Sequence, residues 1–66
     1  MNDFECTFHE IPRTVEWKFK KGYQAELDVE LSHFKAIRSS DGHVIINESN
    51  VTMNDVDRYV EQISNL

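Results

Sequence analysis

This chain is short of the residues that staple or punctuate small proteins: its 66 residues include one cysteine, one proline and two glycines. A single cysteine excludes an internal disulfide, and no second Cys/His pair gives Cys6 and His9 a zinc spacing. Gly22 and Gly42 stand alone, so no glycine-rich loop cradles phosphate. No run of ~18 apolar residues is present to span a bilayer, and no basic-then-apolar leader precedes the first charged residues. Repeats, linkers and low-complexity tracts are absent. The expectation is one domain over 1–66 that binds no cofactor and no metal, has no business with a membrane and, with its lone thiol, belongs in the cytoplasm.

Positive charge is the other scarcity. Seven Lys and Arg face twelve Asp and Glu, a net charge of −5. Up to Gly22, Arg13, Lys18, Lys20 and Lys21 balance Asp3, Glu5, Glu10 and Glu16. From Tyr23 onward eight acids face only Lys35, Arg38 and Arg58, and the whole net charge lies there. Such a chain repels phosphate, which argues against direct nucleic-acid binding and for a partner with a basic surface.

What is present is alternation. Val15, Trp17 and Phe19 interleave with Glu16, Lys18 and Lys20; Tyr23, Ala25, Leu27, Val29 and Leu31 interleave with Gln24, Glu26, Asp28 and Glu30. Period two puts the apolar side chains on one face of a strand and the charges on the other. Lys20-Lys21-Gly22 between the runs reads as a three-residue hairpin loop, with glycine at the left-handed position. That loop pairs Phe19 with Tyr23, Trp17 with Ala25 and Val15 with Leu27.

A first strand is expected from Asp3 to His9 with Phe4, Cys6 and Phe8 inward, Cys6 acting as a small apolar core residue. It is followed by a connection at Glu10–Arg13, because Pro12 has no donor for a ladder. The alternation slips by one residue at Ser32-His33, which calls for a bulge, bend or turn. Phe34–Arg38 and His43–Asn47 then flank Ser39-Ser40-Asp41-Gly42, a hairpin signal whose register the sequence leaves open. Met53, Val56, Tyr59, Val60 and Ile63 form one helical stripe over Met53–Ser64, with Thr52 as N-cap and Asp55 completing a capping box. The fold class is therefore α+β: a small antiparallel, meander-like sheet of four or five strands with one C-terminal helix packed on one face. A rival reading makes residues 24–38 helical, since Tyr23, Leu27, Leu31, Phe34 and Ile37 also share a helical face; it buries Glu30 and exposes Val29, so the strand is preferred.

No nucleophile, base and orienting group share a motif, and His9, His33 and His43 read as surface or strand-end residues, so no enzyme activity is expected. Lys18, Lys20 and Lys21 lie near Trp17 and Tyr23, but the aromatics face the other way, toward the core. The sharpest candidate is the row Glu26, Asp28, Glu30, whose members would stand ~7 Å apart on one strand face. With Glu48, Asp55, Asp57 and Glu61 nearby, such a row would imitate successive phosphates and fill the basic groove of a nucleic-acid-binding protein, as an inhibitor. The same acids equally suit a solvated strand face. Glu16, placed opposite Glu26, is a like-charge pair that costs stability. The alternative function is structural or adaptor: self-association through sheet edges and an aromatic surface, with a homodimer helping a core this small.

Overall fold

The computed structural model describes residues 4–66. Five strands run in chain order, β1 (Phe4–His9), β2 (Thr14–Phe19), β3 (Tyr23–Asp28), β4 (His33–Arg38) and β5 (Val44–Glu48), followed by helix α1 (Met53–Ser64). Every strand pairs antiparallel with its neighbour in the chain, giving the order β1-β2-β3-β4-β5. The α+β meander with a C-terminal helix is the expected fold class. Residues 24–38 form two strands and a turn, which disposes of the helical alternative. Asp3, expected to open the first strand, lies outside the described residues.

The β2–β3 hairpin forms as its sequence directs. Phe19 faces Tyr23, Trp17 faces Ala25 and Val15 faces Leu27. Gly22 has a φ of 92° and donates its N–H to Phe19 O at 3.2 Å. A side chain at that φ would be strained, which is why glycine closes the loop. The β4–β5 turn is tied by Asp41, whose carboxylate takes two bonds from the Arg38 guanidinium, at 2.7 and 3.1 Å, and one from His43 N at 3.0 Å. A bulge between Ala36 and Ile37 sets the β4–β5 register. β4 starts one residue earlier than its sequence suggests, and β5 is shifted by one residue to Val44–Glu48.

The core lies between the sheet and α1. Trp17, Phe19, Ala25, Leu27, Phe34 and Ala36 present one sheet face to Val56 and Ile63 of the helix. Phe34 is fully buried, 5.7 Å between ring centroids from Trp17 and stacked at 5.4 Å on Tyr59. The helix begins with the expected capping box: Asp55 N donates to Thr52 Oγ1 at 3.1 Å, and Thr52 N donates to Asp55 Oδ2 at 3.0 Å. Its last turn carries no basic residue. Lys21, at the tip of the β2–β3 loop, supplies that charge from a distance, donating to the main-chain oxygens of Ser64 and Leu66 at 3.0 and 2.9 Å. A cation there satisfies orphan carbonyls and the negative end of the helix dipole.

Two expectations need correction. β3 ends at Asp28, although the alternation continues through Leu31. Val29 N still donates to Arg13 O, but beyond Thr14 the neighbouring chain is already the Glu10–Arg13 turn and offers β3 no strand to pair with. The chain turns instead: Asp28 Oδ1 accepts from the N–H groups of Glu30 and Leu31, both at 3.1 Å, and Ser32 takes a left-handed φ of 52°. Cys6 does sit on the helix-facing side, opposite Trp17, but it is exposed. β1 lies beyond the reach of α1, so Cys6 and Phe8 have no layer above them; Phe8 is 56% exposed.

Candidate functional site on the open sheet face

The sheet face turned away from α1 has no covering element among the described residues. Its side chains are the alternates of the core positions, and the antiparallel register arranges them in rows across the strands. The middle row reads Thr7, Glu16, Glu26, Lys35, Asn47. The row beside it reads Glu5, Lys18, Gln24, Ile37, Val44. A shallow groove follows both, lined by Glu16, Lys18, Glu26, Lys35 and the half-buried Ile37.

Glu16 and Glu26 are directly opposite in the register. Like charges at opposed positions on neighbouring strands destabilise a sheet. Glu16 has a contact at 3.5 Å with His9 Nε2, an ion pair only when the imidazole is protonated. Glu26 has no ion pair among the described residues, although Lys35 is its register partner. Two carboxylates thus stand opposed on an open face, with Lys18 and Lys35 lining the same groove but forming no ion pair with either. A guanidinium or ammonium entering there would meet two acceptors at once.

The other sequence candidates are scattered. Asp28 shares this face, but one of its oxygens holds the turn that ends β3, and Glu30 belongs to that turn rather than to the strand. The three-carboxylate row is therefore not formed. Glu48 stands at the end of β5 in register with Phe34, on the helix side. Asp55 is occupied by the cap and by Arg58 at 2.9 Å; the bonds from Thr52 and Arg58 hold its carboxyl below the ordinary value. Asp57 and Glu61 are exposed on α1, one turn apart and across the sheet from Glu26. The structure brings Glu16 to Glu26, and it separates Glu26 from Glu48, Asp57 and Glu61. The sequence contained that pairing, because the Gly22 loop alone fixes it.

No family model, curated protein or solved structure matches this chain. Among the described residues no helix is long and apolar enough to cross a membrane, and no group of three His, Cys, Asp or Glu side chains is placed to hold a metal ion.

Proposed function

We propose that this is a non-enzymatic acidic binding protein that occupies a basic surface on a larger protein, inhibiting it by occlusion, in a reducing, cytoplasmic setting. The observation that carries the reading is the Glu16–Glu26 pair, opposed in register on the uncovered sheet face. An arrangement that weakens the isolated sheet is stabilised when a partner's cation bridges the two carboxylates. Lys18 and Lys35 flank the pair and would select against partners whose positive charge is not focused between the glutamates. The partner surface therefore carries one or two protruding arginines or lysines. A nucleic-acid-binding protein is a natural source of such a surface, but the broken carboxylate row removes the regular phosphate spacing from the argument.

The test uses an arginine-rich peptide titrated into isotopically labelled protein, read by amide chemical shifts, beside the double variant Glu16→Gln/Glu26→Gln. Binding should perturb β2 and β3 amides around Glu16 and Glu26, weaken steeply with added salt and vanish in the double variant while its fold is retained. Shifts centred on Asp57 and Glu61, or binding unchanged in the double variant, would show that the open face is only solvated.

A further inference from the structure

The outer edge of β1 is a second surface, independent of the acidic groove, and its occupant can be read from its symmetry. Val29 N donates to Arg13 O at 3.1 Å, which continues the β2–β3 ladder beyond the strands and assigns the odd-numbered residues of β2 to β3. Antiparallel ladders alternate, so Thr14, Glu16 and Lys18 turn their N–H and C=O groups to β1. Their partners there are His9, Thr7 and Glu5. The main-chain groups of Phe4, Cys6 and Phe8 consequently point outward, and among the described residues no strand takes them up.

Two of these positions, Cys6 and Phe8, also carry side chains that α1 leaves uncovered, while Phe4 is half-buried against Phe19. Phe-x-Cys-x-Phe is palindromic about Cys6. We propose that β1 pairs antiparallel with β1 of a second copy about a two-fold axis at Cys6. That register sets Phe4 opposite Phe8 of the other copy and Cys6 opposite its twin, and every outward N–H and C=O of the six-residue strand finds a partner. On the other face Glu5 meets Thr7, so no like charges are directly opposed. A two-fold interface must be complementary to itself in this way. The opposite edge lacks these properties: β5 itself is bulged, with Ile45 the extra residue between Val44 and Ile46, and carries Asn47 and Glu48, features that discourage edge pairing. Pairing through β1 buries the exposed Phe8 ring and joins two five-stranded sheets into one.

One strand per copy makes an interface below the ~1,200 Å² of a standard one, so the dissociation constant is on the order of 0.1 mM. Sedimentation should show a mass rising with concentration from 7.8 kDa toward twice that value. Cys6 is a built-in reporter. Bonded antiparallel partners have Cα atoms about 5.5 Å apart, within disulfide range. Diamide should therefore link two copies, taking one proton and one electron from each thiol and being itself reduced to the hydrazine. Phe8→Lys, at an exposed position that leaves the core intact, should abolish the dimer and slow crosslinking about ten-fold near the dissociation constant. Glu16→Gln/Glu26→Gln should remain dimeric, which separates this surface from the acidic groove. A monomer mass at about 1 mM, ten times the expected dissociation constant, overturns the proposal. Phe8→Lys that sediments and crosslinks like the parent overturns it too, because the contact would then lie elsewhere or the crosslink would be collisional.

Discussion

Replacing Phe34 tests the packing argument most directly. Its ring is completely buried between Trp17 and Tyr59, with Leu27 opposite it on β3. Truncating such a ring to alanine removes its transfer free energy and leaves a cavity that neighbours on two layers cannot fill together, a cost of about 3–5 kcal/mol. A domain of 66 residues has roughly 3–10 kcal/mol in total. Phe34→Ala should therefore lose about half or more of that stability and unfold at a far lower urea concentration than the parent. Phe34→Leu keeps most of the volume and should cost about 1–2 kcal/mol. With a urea slope near ~1 kcal/mol/M for so small a protein, its midpoint should fall by roughly 1–2 M. Trp17, the only tryptophan, is buried against Phe34 and reports unfolding by fluorescence, with far-ultraviolet circular dichroism as the second probe. Leu31→Ala is the control: that side chain is 69% exposed and should change stability by no more than about 0.5 kcal/mol. Equal midpoints for Phe34→Leu and Leu31→Ala would refute the assignment of the core to the helix side of the sheet.

The capping box and the clamp at the other end of α1 give further tests. Thr52→Ala should lower stability by about 1 kcal/mol, a fall of roughly 4–8 °C in Tm by calorimetry. Asp41 and Asp55 are both held below the ordinary carboxylate value, Asp41 chiefly by the Arg38 bond and then by His43 N, Asp55 chiefly by Thr52 N. A depressed folded value means that stability is present above the unfolded value and lost as pH falls through the folded one. Tm should decline below about pH 4, and the gap between the parent protein and Asp55→Asn should narrow there; a gap that widens on acidification would contradict the cap. Lys21→Met should leave the sheet intact and change global stability by less than ~1 kcal/mol, since the contact is exposed. It should speed hydrogen exchange at Asn65 and Leu66, and unchanged exchange would mean that Lys21 does not hold the helix end.

Local signals made most of the fold legible. The β2–β3 pairing followed from alternation and one glycine, and α1 from its stripe and cap, because each depends on residues a few positions apart. The end of β3 depends on what lies across the sheet. Val29, Glu30 and Leu31 keep the strand pattern, yet the ladder runs out where the neighbouring chain turns ahead of Thr14, and Asp28 bonds back to its own turn. The burial of Cys6 was misjudged for a related reason. Alternation says which face a side chain takes, whereas the width of one helix decides how much of that face is covered. For the acidic candidates, strand position alone made Glu26, Asp28 and Glu30 look equivalent. The hydrogen bonds then set Asp28 and Asp55 to structural work, and the hairpin register brought in Glu16.

The unbroken strand order has a consequence for how the chain assembles. Each ladder joins segments adjacent in the sequence, so no long loop must close before a strand finds its partner, and the entropic toll of bringing distant segments together is small. Topologies built from such local pairings fold quickly for their size. The sheet can grow hairpin by hairpin from either end as the chain emerges. Only α1 must travel, and its docking converts an array of hairpins with one greasy side into a molecule with an interior. The lysine at the tip of the second hairpin, waiting for the end of that helix, is a contact that only the finished topology can make.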